Sequence, residues 1–302
     1  MPVLANVGYL DRINRAIDHV TRNLAEPLQL EDVARVACFS PFHFHRIFRA
    51  LVGETLHAFV KRVRIERALH LMAHRRDASL TEIALGCGFS SSSDFSRSFR
   101  AQFGVPPSAF DLDAYRDARR GQLVDSAGHR LERLPAGENP DGFVVALRDL
   151  PPRRVAYLRV ATPYQGAGVV EAIRRMVEWA TARGLAGGQW LGYQWEDPEI
   201  VALENCRYDV GLEIADDVAI EPGEIGVTRF PAMRVAELDL AGPIALEMRA
   251  IDYIYQTWLP SSGYVPDHQP GFEVWNGMPF AHGHEHFELR IHIAVTDAAT
   301  PV

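Results

Sequence analysis

Two matched pairs of arginines are the first residues whose chemistry is legible. Arg46 and Arg49 recur 51 positions later as Arg97 and Arg100. In the first copy Phe42, Arg46 and Arg49 share one face of a helix, with His45 flanking; in the second, Ser93, Arg97 and Arg100 do, with Ser96 flanking. On such a face a guanidinium can pair bidentately with guanine, a phenyl ring such as Phe42 touches a thymine methyl, and Arg49 and Arg100 suit phosphates. A second chemistry lies in Gly271-Phe272-Glu273-Val274-Trp275. Strand alternation puts Glu273 and Trp275 on one face and Phe272 and Val274 on the other. A carboxylate beside an indole suits an organic cation, through ion pairing and cation–π attraction. Tyr193, Trp195, Trp258 and Tyr264, near expected strand ends, are the further aromatics of that wall. The competing readings are solvated arginines, core aromatics and an edge-strand glutamate. Recurrence on matched faces favours contact over solvation for the arginines.

The elements that must position these residues show an internal repeat. Residues 30–34 align with 80–84 at an offset of 50, and Phe39-Ser40 with Phe89-Ser90. One inserted residue later, Phe44, Arg46, Phe48, Arg49, Gly53, Ala58 and Phe59 match Phe95, Arg97, Phe99, Arg100, Gly104, Ala109 and Phe110. Each copy reads as a short helix, a tight connection and a second helix, with Ser40 as N-cap and Pro41 in the first helical position. Phe44, Ile47, Phe48 and Leu51 form the buried stripe of copy one, and Phe95, Phe99 and Phe103 that of copy two. Residues 55–74 read as one long helix holding the copies apart, about 34 Å if they enter successive major grooves.

Composition agrees with two folded domains: 47% of the 302 residues are hydrophobic and 23% charged. The net charge is −8, yet residues 1–120 hold 17 Arg/Lys against 13 Asp/Glu and residues 121–302 hold 14 against 26. Any nucleic-acid surface is therefore local, in the basic half. Cys38, Cys87 and Cys206 have no CxxC spacing and suggest neither a disulfide framework nor a thiolate zinc site; Cys38 and Cys87 read as small buried packing. No apolar leader or membrane-length run is visible, so a cytoplasmic location is expected.

A polar, Gly/Pro-punctuated stretch suggests domains at 1–115 and 145–297 with a linker at 116–144. Beyond it, strands are expected at 153–160, 189–194, 208–214, 235–240, 271–276 and 287–295. Val169, Ile173, Val177 and Ala180 form one helical stripe; Ile244, Met248, Ile251, Tyr255 and Trp258 form another. The parse is two β-α-β-β units. His282, His284 and His286 alternate on what reads as a solvent-facing strand extension, weak grounds for a metal. No GxGxxG, P-loop or nucleophile elbow is present, so neither a cofactor nor an enzyme is expected.

These residues carry two resemblances. Residues 7–112, with the signature-like run Asp94-Phe95-Ser96-Arg97-Ser98-Phe99-Arg100-Ala101-Gln102-Phe103-Gly104-Val105-Pro106-Pro107, resemble the DNA-binding domain of AraC/XylS transcriptional regulators. This implies an all-α, seven-helix double helix-turn-helix domain that binds double-stranded promoter DNA as a monomeric module. Base contacts are implied at Phe42, His45 and Arg46, then Ser93, Ser96 and Arg97. Ser92 and Ser93 stand where compared members often have longer polar side chains, implying looser readout by the second unit. Residues 145–297 resemble the GyrI-like effector-binding domain of Rob-type and BmrR-type bacterial regulators. The motifs are Gly192-Tyr193-Gln194-Trp195-Glu196-Asp197-Pro198, Arg207-Tyr208-Asp209-Val210-Gly211, Trp258-Leu259-Pro260-Ser261-Ser262-Gly263-Tyr264 and Phe272-Glu273-Val274-Trp275. They imply a pseudo-twofold α+β domain whose cleft, between the repeats, brings the glutamate matching Glu273 to the cationic or polar part of a small, often lipophilic, effector. Together the resemblances imply a one-component transcriptional regulator with RNA polymerase as a protein partner and no membrane partner. Two alternatives stay open for the second domain: a small-molecule hydrolase using Glu273 as general acid or base, and a gyrase-inhibitor-like module docking a protein through its acidic surface.

Overall fold

Matched caps start and stop the two arginine-bearing helices. The computed structural model describes residues 3–75, 77–127, 133–221, 223–279, 281 and 286–298. Its contacts divide the chain into two units, with the boundary between Arg116 and Asp117. The first unit holds α1 (Val3–Arg22), α2 (Leu30–Val36), α3 (Pro41–Val52), α4 (Leu56–His74), α5 (Leu80–Gly86) and α6 (Ser92–Phe103); α7 (Leu112–Ala127) begins in it. Ser40 caps α3, its Oγ accepting the His43 N–H at 3.4 Å, and Ser91 caps α6, accepting the Asp94 N–H at 3.1 Å. Both helices end on left-handed glycines, Gly53 at φ 87° and Gly104 at φ 78°, a conformation that costs glycine no Cβ clash. Phe44 and Phe48 pack with Phe59, whereas Phe95 and Phe99 pack with Phe103 and Phe110. The long helix expected over 55–74 is α4, with Thr55 as its N-cap.

Two sequence expectations for this unit need correction. Cys38 is exposed, in the left-handed conformation at φ 52°, where the second copy has Gly88. The turn geometry, not core packing, defines its position. Cys87 is buried as expected, and burial pushes its thiol up to about 12. Leu51, expected in the buried stripe, is exposed on the last turn of α3.

The expected linker at 116–144 contains regular structure. It opens with the later turns of α7, and Arg120 there is buried against Glu199 and Asp252. Those partners are 79 and 132 positions away, which no local pattern reveals. Within 133–144, Asn139 closes a loop by bonding the Phe143 N–H and C=O at 2.7 and 2.9 Å.

The second unit contains β1 (Val145–Leu150), β2 (Arg153–Val160), α8 (Gly168–Ala182), β3 (Trp190–Gln194), β4 (Tyr208–Glu213), β5 (Gly226–Phe230), β6 (Met233–Gly242), α9 (Ile244–Tyr253), α10 (Leu259–Ser262), β7 (Tyr264–Pro266), β8 (Gly271–Trp275) and β9 (Phe287–Asp297). A single π-helical turn, Ile254–Trp258, joins α9 to α10. The sheet order is β1-β6-β9-β8-β3-β4-β2-β5, with β7 added beside β9. Units β2-α8-β3-β4 and β6-α9-β8-β9 therefore place their strands as mirrored halves, meeting where β3 pairs with β8. The strand before each unit, β1 or β5, crosses to the edge of the other half. Pro151-Pro152 and Pro231 sit at these corners, where a residue without an N–H donor breaks the ladder. Helix α8 packs on β2 and β4, and α9 on β6. No helix among the described residues is long and apolar enough to cross a membrane.

Candidate functional sites

On α3, Phe42, His45, Arg46 and Arg49 are all exposed, at i, i+3, i+4 and i+7 of one face. On α6, Ser93, Arg97 and Arg100 are exposed and Ser96 is half-buried, with the same spacing. The opposite faces bury Phe44, Phe48, Phe95 and Phe99. Phe42 is 75% exposed, with the Arg46 guanidinium carbon 5.9 Å from its ring centroid. Asp94 lies 3.9 Å from Arg97, a loose surface pairing that leaves the guanidinium in solvent. Each face combines hydrogen-bond donors with fixed positive charge, and α3 adds an apolar ring; this suits a polyanion with readable edges.

In the second unit, the register decides which side chains meet. Glu273 pairs with Gly192 on β3 and with Ile291 on β9, while Phe272 pairs with Tyr193. Glu273, Trp275, Gly192, Val210 and Tyr208 consequently share the face that carries α9, and Tyr193 and Phe272 face the other way. Because α8 and α9 cover the outer strands, the central pair β3 and β8 floors the space between them. Glu273 is half-buried there. Tyr208 reaches across β3 and donates its hydroxyl proton to Glu273 Oε2 at 2.7 Å. It can do so only because position 192 is glycine: a Cβ there would lie 1.7 Å from the Tyr208 oxygen. The Trp275 indole bonds the same hydroxyl.

Glu247 of α9 is 4% exposed and is hydrogen-bonded to Glu273. Burial first, and then the Glu273 charge, holds Glu247 well above the usual carboxylate range; burial raises Glu273 as well. Burial and the two carboxyls also keep the Tyr208 phenol protonated. Nearby, Tyr164 donates to Gln194 Oε1 at 3.1 Å. Two acids, the Tyr208 phenol and the Trp275 indole thus meet at one spot, which suits a cation with apolar substituents.

Tyr193 and Trp195 do not join Glu273. Tyr193 is 2% exposed and packs with Tyr157, Phe230 and Phe272 on the opposite face; Trp195 lies against that cluster and His268. Tyr193 has an odd position in a strand whose even positions face Glu273, which follows from cross-strand register rather than from aromatic content, and Trp195 lies just past the end of that strand. Trp258 and Tyr264 stack at 6.3 Å within the cluster of α9 and β9. Trp275 shares Glu273's face as expected. Sequence reasoning missed Glu247, Gly192, Tyr164 and the role of Tyr208. Glu247 was detectable as an acid three and four residues from Ile244 and Ile251 in an otherwise apolar stripe. Glu196 and Asp209, from two of the motifs, bind Arg207 and Arg159 and serve the scaffold. His282 and His284 lie outside the described residues; His286 is 3.5 Å from Glu288.

Residues 144–294, half of the chain, match the model of the GyrI-like small molecule binding domain. The chain belongs to the GyrI-like family. Ahead of that domain, residues 33–112 match a helix-turn-helix domain, of the AraC type. The GyrI-like half is similar to a DNA gyrase inhibitor of Serratia proteamaculans, at 30% identity over 51% of this chain and 98% of that protein. The helix-turn-helix half is similar to the regulatory protein PocR of Salmonella typhimurium, at 34% identity over 33% of this chain and 32% of PocR. It is also similar to the DNA-binding domain of AdpA, solved in complex with a target DNA, at 33% identity over 37% of this chain and 98% of that one, with a TM-score of 0.33. The chain spans about a third of the length of the curated regulators it matches first.

Proposed function

We propose that this chain is a one-component transcriptional regulator. Its helix-turn-helix faces read promoter DNA, and its GyrI-like cleft binds a small lipophilic cation that changes DNA affinity. In this reading residues 1–115 and 145–297 are the two functional domains, RNA polymerase is the protein met at the promoter, and the cytoplasm is the site of action. Arg46 and Arg97 pair with bases beside Phe42, His45, Ser93 and Ser96, and Arg49 and Arg100 hold phosphates. The observation that carries the effector half is the Glu247–Glu273 pair, set beside Tyr208 and Trp275 with no basic partner among the described residues. Coupling needs only that the ligand prefer one of two states of the regulator.

The test begins by selecting bound sequences from a random DNA pool. On the selected site Arg46→Ala is expected to cost about 1–3 kcal/mol of specific binding, while Arg49→Ala weakens all sequences alike and lowers the salt slope by about one. A saturating lipophilic cation is expected to shift DNA affinity by about fivefold or more. A uniform loss for Arg46→Ala defeats the base-reading role; an unmoved DNA affinity with bound cation defeats the regulatory one. The 98% coverage of the gyrase inhibitor favours a second reading, in which this domain docks a protein. Capture of purified gyrase by the full chain, blocked by charge reversal of the acidic surface, would favour it.

A further inference from the structure

Two carboxyl groups hydrogen-bond to each other only when one of them holds a proton, because carboxylates are acceptors alone. Glu247 and Glu273 are placed to make that bond. The groups facing the pair are Tyr208 from β4 and Trp275 from β8, while Tyr164, from the segment before α8, feels the Glu273 charge from farther off. All are neutral donors or phenols, and among the described residues no basic side chain contributes to the charge around either acid. Tyr208 already donates to Glu273, which marks Glu273 as the charged member and Glu247 as the protonated one. The pair thus shows one negative charge and holds a second in reserve. In a desolvated site the most favourable complexes are neutral overall. A singly charged ligand is matched by Glu273 alone. A doubly charged ligand is matched only once Glu247 has given up its proton to solvent.

Resting on the reading of this cleft as a cation site, we propose that Glu247 determines which cations it accepts: the pair keeps its proton with a monocation, and releases it, making Glu247 the second anion, when a ligand brings a second positive charge to α9. The cleft then adapts its charge to its ligand, which one glutamate among aromatics cannot do.

Calorimetric titration of the full chain at pH 7, in two buffers of different ionisation enthalpy, counts the protons released. The probes are benzyltriphenylphosphonium and p-xylylenebis(triphenylphosphonium). Both are permanently charged, so any proton comes from the protein. The expected result is almost no release with the first and close to one proton with the second. In Glu247→Gln the release with the dication is expected to vanish and its binding to weaken about tenfold, while the monocation changes by less than about threefold. Binding of the dication by wild type without proton release, or release that survives in Glu247→Gln, overturns the assignment of Glu247. Failure of both probes to bind overturns the cation reading of the cleft and this inference with it. Should Glu247→Gln not fold, the wild-type proton count alone decides.

Discussion

Helix α9 sends two acidic side chains into the interior, five residues apart, and they meet opposite surroundings. Asp252 accepts both nitrogens of Arg120 at 2.8 and 2.7 Å and the Leu134 N–H at 2.9 Å, while Arg120 also bonds Glu199 and Arg133 bonds Glu199 in turn. Glu247, equally buried, meets a second acid and a phenol. The first arrangement is balanced in charge, and it ties Arg120, Arg133 and Leu134 to the GyrI-like core. The second is unbalanced, kept tolerable by a retained proton. Acids that have no basic partner among the described residues oppose folding, which is the reason the proposed function assigns this pair, and not the Asp252 cluster, to a ligand.

Several substitutions break or sharpen that contrast. The largest effect belongs to the balanced cluster: Arg120→Met leaves Asp252 and Glu199 uncompensated and is expected to cost about 3–5 kcal/mol, read as a lower urea midpoint for the second domain. A loss under about 1 kcal/mol would show that solvent reaches these acids. Gly192→Ala follows, since its Cβ collides with Tyr208 and frees Glu273 from its donor; about 1–3 kcal/mol and weaker cation binding are expected. Glu273→Gln is the reverse of Arg120→Met. It removes a half-buried acid that has no basic partner among the described residues, so stability should change by less than about 1 kcal/mol while cation binding is lost.

The smallest effect is the dependence on pH. Both acids of the pair bind protons more tightly folded than unfolded, because burial raises them. Their favourable contribution is complete below the unfolded value of about 4.3 and is lost as pH rises through the folded values. Glu247→Gln keeps only the part that Glu273 contributes. The variant is therefore expected to gain on wild type in urea midpoint as pH rises from about 5 to 8. A difference constant with pH would mean that Glu247 is already ionised at pH 5.

Much of the architecture was legible because it is local. Caps such as Ser40, the repeated phenylalanine stripes and the alternation at 153–160 and 271–276 each depend on near neighbours. Strand β1 was missed because it is a half-exposed edge whose partner, β6, lies some 90 residues away. The short β5 pairs across the domain with β2 and was missed for the same reason. At the site, one-strand alternation was enough for Glu273 and Trp275, but choosing between Tyr193 and Tyr208 required the register of three strands. Aromatic content drew attention to Tyr193 and Trp195, which are packing residues. Arg120 falls within the expected polar linker because its partners are remote in sequence.

The most direct test of the contrast is a tryptophan-fluorescence titration of wild type, Glu273→Gln and Arg120→Lys with benzyltriphenylphosphonium, with urea midpoints measured alongside. Saturable quenching in wild type and in Arg120→Lys, lost in a Glu273→Gln protein that unfolds at the wild-type midpoint, is the expected result. Equal affinity of wild type and Glu273→Gln would contradict the account, because the acid without a basic partner would then not be where the cation binds.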